Sequence, residues 1–166
     1  NLYYTLEGQD VQSFLKDLIT RVTNHPLIHV ITNALVVDFS GSKGNFSTGV
    51  MVAPTMYYRK IEHGITILAT GAQEWKPKEY LYGEDPRIVT QLELEGRIVS
   101  QPEEVARANN IVMIQCVGSR DKERPNCSRT CCATAVKNAI KIKALNPNAN
   151  ISILYRDIRT YGLAES

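Results

Sequence analysis

Apolar residues recur along this chain with two different periods, and together they predict its elements. Val11, Phe14, Leu15, Leu18, Ile19 and Val22 fall three and four apart, which places them on one face of a helix. Asp10 precedes that run and can cap it, because its carboxylate accepts from the first free amides. Asn24-His25-Pro26 ends it, since proline cannot continue a helix. The pattern therefore predicts a helix with a buried face to about Thr23. Residues 2–6 read as a short strand. Residues 27–37 (LIHVITNALVV) are rich in branched side chains with local alternation and predict a longer one. Residues 39–49 (FSGSKGNFSTG) supply a turn, and residues 50–53 resume the strand. The segment ITILATGA (65–72) predicts a further strand ending in small residues, and residues 88–90 are extended. A short helix follows over residues 90–95, with Gly96 at its end, and residues 101–105 form a polar connection.

From residue 106 onward the pattern becomes strand, loop, helix, strand. The strands are 111–117 and 151–155. On the helix, Cys132, Val136, Ala139 and Ile140 share an inward face, and Asn146-Pro147 terminates it. This is the frame of a dinucleotide-binding βαβ unit, in which the first loop would carry G-x-G-x-x-G to close backbone amides around a pyrophosphate. Here the loop holds one glycine, Gly118, followed by charged residues and thiols. A cysteine loop stands where the glycine loop would be. Asp157, near the end of the second strand, occupies the place of a ribose-binding acid and reads as a positional remnant or a turn residue.

Composition narrows the picture by exclusion. With 166 residues and 43% hydrophobic content the chain can build one core, or one and a half small ones. A net charge of +2 without a basic stripe gives no indication of nucleic-acid binding. The longest apolar runs are strand-sized, so no membrane span is expected, and no signal peptide opens the sequence. Both ends read as cut from a longer polypeptide. The run GSKGNF lacks phosphate-loop spacing and predicts a hairpin turn. His25, His29 and His63 are scattered singly and read as turn or sheet residues rather than ligands.

The chemistry concentrates in four cysteines, Cys116, Cys127, Cys131 and Cys132, spaced C-x10-C-x3-C-C. Without a secretory signal they point to metal or redox use rather than to structural disulfides. Contiguous cysteines fit awkwardly on one tetrahedral zinc. An iron–sulfur cube relaxes that constraint, because each thiolate meets a different iron. The predicted helix start beside Cys131, together with Arg120, Lys122, Arg124 and Arg129, would stabilise an anionic cluster. Three readings stay open on spacing alone: an iron–sulfur site, a zinc-stabilised interaction module, and a dithiol/disulfide oxidoreductase using Cys131 or Cys132. Lys137, one turn beyond Cys132, reads either as a solvated lysine beside Lys141 or as a cation aimed at an electron-rich cofactor.

The motifs YLYGE…VTQLELE, IQCVGSRD…RPNCSRTCC…KNAIKIK and LYRDIRTYG together resemble the A subunit of heterodisulfide reductase and its relatives. The likeness runs from Asp10 onward and is densest over residues 80–162. The resemblance implies an α/β fold: a partial FAD/NAD-binding, thioredoxin-reductase-like scaffold over residues 1–105, joined over residues 106–166 to the Rossmann-like βαβ unit with its cysteine loop. It implies a cytoplasmic oxidoreductase of anaerobic metabolism that carries FAD and 4Fe-4S clusters. Such a protein passes electrons between the other subunits of a heterodisulfide reductase-like complex and their electron donors, and in some complexes splits an electron pair at the flavin. It further implies that Cys116, Cys127, Cys131 and Cys132 ligate one 4Fe-4S cluster. Ala69, Thr70, Gly71 and Ala72 become a flavin-side motif, and Lys137 a cation that tunes the flavin. The family's G-x-G-x-x-G loop and its ferredoxin-type cysteine runs are absent from this sequence, so the chain is expected to be an internal segment that holds FAD weakly or not at all. A truncated sheet edge would also allow pairing into a homodimer.

Overall fold

A computed structural model describes residues 3–160. Its elements follow in the order α1 (Val11–Thr23), β1 (Ala34–Ser42), β2 (Asn45–Val52), β3 (Tyr57–His63), α2 (Gln91–Ser100), α3 (Pro102–Ala106), β4 (Asn110–Ile114), α4 (Cys131–Leu145) and β5 (Asn150–Leu154). The fold is mixed α/β, as the two periods require. Two compact units result. Residues 15–73 form one, and residues 3–14 with 74–160 form the described part of the other. The expected division at residue 105 followed chemical roles, whereas these units follow contacts.

The unit of residues 15–73 is built on the antiparallel sheet β1-β2-β3. Its first turn is the expected hairpin: Ser42 pairs with Asn45, leaving Lys43 and Gly44 as the loop, and Gly44 takes φ +83. The strand boundaries differ from expectation. Pairing starts only at Ala34, and residues 39–49 are mostly strand, because Phe39 and Phe46 stack across the hairpin at 5.2 Å between ring centroids. His63 is fully engaged in this sheet. Its Nε2 lies 2.7 Å from the Thr48 hydroxyl and its Nδ1 3.1 Å from the Ile65 carbonyl, so it is a sheet residue, as its isolation in sequence suggested.

Three expected features of the apolar pattern are corrected. Helix α1 forms with its Asp10 cap, whose Oδ1 accepts from Gln12 N at 2.8 Å and Ser13 N at 3.1 Å. Its apolar face is nevertheless left uncovered, with no buried residue on the helix and Phe14 64% exposed. The segment 65–72 is not a strand: Ile67 and Leu68 are each 85% exposed, and among the described residues no partner strand offers them a ladder. A lone strand leaves its backbone groups to water and gains nothing from extension. The expected strand at residues 2–6 reduces to one antiparallel bridge between Tyr4 and Asp10, and Leu2 lies outside the described residues.

The other unit contains the βαβ frame. β4 and β5 pair in parallel from Asn110↔Asn150 to Ile114↔Leu154, with α4 as the crossover. Helix α2 begins at a capping box, in which Glu93 N donates to the Thr90 hydroxyl and Thr90 N donates to Glu93 Oε2. That cap carries the helix through Gly96 to Ser100, past the expected end, and Pro102 then opens α3 where a plain connection was expected. Burial pushes the Glu93 carboxyl up, yet Lys76, the Thr90 amide and the Tyr82 hydroxyl outweigh it and hold the group at about 2. Tyr4, Ile98, Val105, Met113, Ala135, Ile142 and Ala149 form the core between the helices and the parallel pair.

The centre of this unit is charged. Glu95 on α2 is fully buried, and its Oε1 accepts from Tyr3 N at 2.6 Å. Its Oε2 faces Lys137 Nζ of α4 at 2.9 Å, near enough for an ion pair but without the alignment of a hydrogen bond. Lys137 also donates to the Tyr4 carbonyl at 3.1 Å, and its Nζ lies 4.4 Å from the centre of the Tyr4 ring. Next to it, Asn138 accepts from the Tyr4 hydroxyl at 2.8 Å and donates to Gln91. Lys137 is thus buried, and its reading as a solvated lysine is corrected. Glu95 draws the ammonium inward and neutralises it there.

Candidate functional site

The cysteine loop leaves the C-terminal end of β4 and returns at the N-terminus of α4. Gln115 adds one more ladder bond, from its N to the Leu154 carbonyl at 2.9 Å, and then the chain turns sharply. Cys116 takes φ +63, Gly118 φ +65 and Arg120 φ +58, a cluster of left-handed residues that for non-glycine side chains costs energy. Asp121 closes the next turn, with its Oδ1 accepting from Glu123 N at 2.9 Å and Arg124 N at 2.7 Å. Arg129, again left-handed at φ +60, leads into Thr130 and α4, whose first residues are Cys131 and Cys132.

All four cysteines carry free thiols. Cys132 is buried, at 3% exposure, and the other three are partly covered. Burial pushes the Cys131 thiol up, and the Cys132, Cys116 and Cys127 sulfurs push it further against the Ser128 hydroxyl. Donors are present as well: Arg129 N donates to Cys127 Sγ at 3.3 Å, and the Arg120 guanidinium makes a long contact of 3.8 Å to Cys116 Sγ. Thr130 makes no side-chain cap, so the first amides of α4 are left without that partner. Gln115, beside Cys116, is buried with Nε2 lacking an acceptor.

These features fit a soft, anionic group held by thiolates: four sulfurs on one loop, a helix start, and donors still to be matched. They do not amount to a finished cage. Among the described residues no three His, Cys, Asp or Glu side chains are already placed to hold one ion. The expected flavin-side residues are arranged differently. Ala69, Thr70, Gly71 and Ala72 are exposed in a segment without regular structure, and a Cβ on Gly71 would meet nothing within 4 Å. They form no cradle in this chain, and the aromatic surface over Lys137 is the Tyr4 ring.

Two contacts escaped the sequence reading. Asp157, in a bend just beyond β5, does more than turn the chain. It accepts from Arg159 Nε at 2.5 Å and from Arg120, and these two guanidiniums hold its carboxyl below the usual range. Asp157 therefore anchors the arginine that faces Cys116. The signal was topological: in a parallel pair both strands end on one side, so residues just beyond Ile114 and Leu154 must meet. The second contact is Trp75, which lies against Gly118 with the Arg124 guanidinium 3.4 Å from its ring centre. Arg124 thus also serves the loop's packing.

No protein-family model matches the chain. Curated relatives do. In Methanothermobacter thermautotrophicus, the A subunit of the H2:CoB-CoM heterodisulfide, ferredoxin reductase is 38% identical over 117 residues, covering 62% of this chain and 18% of its own length. In Methanococcus maripaludis, the A subunit of the H2/formate:CoB-CoM heterodisulfide, ferredoxin reductase is 40% identical over 116 residues. It covers 61% of this chain and 18% of its own length. An iron-sulfur A subunit of the CoB–CoM heterodisulfide reductase of Methanopyrus kandleri is 37% identical over 120 residues, with coverage of 62% and 18%. The chain is similar to the A subunit of heterodisulfide reductase. It spans less than a fifth of the length of these relatives. Among the described residues no helix is long and apolar enough to cross a membrane.

Proposed function

We propose that the chain binds an iron–sulfur cluster through Cys116, Cys127, Cys131 and Cys132 and is the cluster-bearing part of a flavin- and iron–sulfur-dependent oxidoreductase of the heterodisulfide reductase kind. The observation that carries this is that four free thiols are carried by one loop and the helix start that follows it, on the βαβ frame where a pyrophosphate loop would lie. Four local thiolates would hold a 4Fe-4S cluster, which when bound supplies a one-electron carrier. The residues around it would stabilise its negative charge: Arg120, anchored by Asp157, near Cys116; the Arg129 amide at Cys127; the start of α4 at Cys131 and Cys132.

In the same reading the parent protein is cytoplasmic, carries FAD, and passes electrons between partner subunits and their donors. The resemblance assigns Ala69, Thr70, Gly71 and Ala72 to flavin binding in that parent, and Lys137 to tuning the flavin. Those roles rest on the resemblance alone. The dithiol alternative is disfavoured by physical chemistry, because an attacking thiol needs a lowered pKa and access. Cys131 is pushed the other way and Cys132 is buried.

The deciding measurement is iron, zinc and acid-labile sulfide per chain after anaerobic reconstitution. About four irons and four sulfides are expected, falling sharply in each Cys→Ser variant. About one zinc without sulfide would support the interaction module instead. No metal at all would return the thiols to dithiol chemistry.

A further inference from the structure

Trp75 is the one tryptophan of the sequence, and it lies against the middle of the cysteine loop. A Cβ on Gly118 would come within 2.5 Å of indole Cδ1 and would also clash with Nε1, so the indole rests in the space that the missing side chain leaves. Gly118 meets two demands there, since its φ of +65 also favours glycine. The Arg124 guanidinium covers the ring at 3.4 Å, and Arg124 is itself fixed by the Asp121 turn through the 2.7 Å bond to its amide. Trp75 remains 47% exposed, so this contact does little to build a core. Its two neighbours, Gly118 and Arg124, both fall between Cys116 and Cys127, the widest gap in the cysteine pattern.

We infer that Trp75 is a positioning residue for the cysteine loop: its indole, between Gly118 and Arg124, holds the stretch from Cys116 to Cys127 in place before the thiols bind anything. A loop of that length loses entropy when its ends are brought to a common ligand, and a clamp at its middle takes part of that loss in advance. The stacked guanidinium adds the attraction of a cation for an aromatic face. In consequence the indole should also report on what the thiols bind, and this second part rests on the iron–sulfur reading above.

The clamp is tested on reduced, metal-free protein by measuring the alkylation rate of each cysteine by mass spectrometry. Trp75→Ala should speed labelling of Cys116 and Cys127 by about fivefold, the loss expected for one exposed cation–aromatic clamp, while buried Cys132 keeps its rate. Trp75→Phe, which retains an aromatic face, should stay near the original rates. Gly118→Ala, which evicts the indole without removing it, should behave like Trp75→Ala and stands in for it if that variant does not fold. Unchanged rates at Cys116 and Cys127, or an equal rise at all four cysteines, would overturn the clamp. Anaerobic reconstitution with iron and sulfide should then quench the Trp75 emission of the unmodified chain in proportion to iron bound. Iron uptake without any change in emission would overturn the reporting role. Failure to take up iron and sulfide would instead sink the iron–sulfur reading, and the labelling result would still decide the clamp.

Discussion

Arg120 faces two partners of opposite use, the Asp157 carboxylate that anchors it and the Cys116 sulfur that it approaches. A fixed positive charge beside a thiolate-ligated centre favours the more negative, reduced state. Arg120→Ala should therefore lower the midpoint potential of the reconstituted protein, by about tens of millivolts for a partly screened charge at this range. Arg120→Lys should restore part of the difference. A redox titration showing the same midpoint in all three would place the guanidinium outside the reach of the centre. At this scale the sequence was legible for residue types but not for pairings. The four cysteines announced themselves by spacing. Asp157 and Trp75 did not, because each acts through a residue far away in the chain that only the fold brings near.

At the scale of elements, α2 and α4 are joined through a buried acid and base. Glu95 and Lys137 neutralise each other, and the pair also holds the backbone of Tyr3 and Tyr4. Removing one partner leaves an uncompensated charge in the core, so Glu95→Leu or Lys137→Met alone should cost about 3–5 kcal/mol in urea unfolding. The double replacement should recover most of that loss, since apolar residues of similar size are tolerated where a buried pair stood. Single variants within about 1 kcal/mol of the parent would show that the pair does not join the helices. The periodicity of α4 could not reveal this. Its buried residues are Cys132, Ala135, Lys137, Asn138 and Ile142, so a charged and an amide residue sit inward where a hydrophobic count looks only for apolar ones. Helix α1 errs the other way: its apolar stripe is regular, yet the face is uncovered. Periodicity predicts a face, and what covers that face is a separate matter.

For the molecule as a whole, the exposed 65–72 segment and the absence of a G-x-G-x-x-G loop from the sequence bear on flavin binding together. A dinucleotide needs backbone amides closed around its pyrophosphate, and no other segment in the sequence has that glycine spacing. FAD added to this chain should be lost on gel filtration, and flavin absorbance at one per chain after that step would refute the expectation. The cysteine loop needs no such help, because all its thiols lie within one continuous stretch of the unit that carries the core.

By itself the sequence determined what short-range chemistry can determine. Asp10 caps a helix, Lys43-Gly44 turns a hairpin, and two branched runs flanking a helix make a parallel pair, because caps, turns and periods act over a few residues. It also placed four thiols on one loop. The tertiary structure alone decided which side chains meet across the chain: that Glu95 reaches Lys137, that Asp157 anchors Arg120, and that an indole fills the space beside Gly118. Those contacts depend on how elements distant in sequence are brought to one place, and no local pattern of apolar and polar positions encodes that distance.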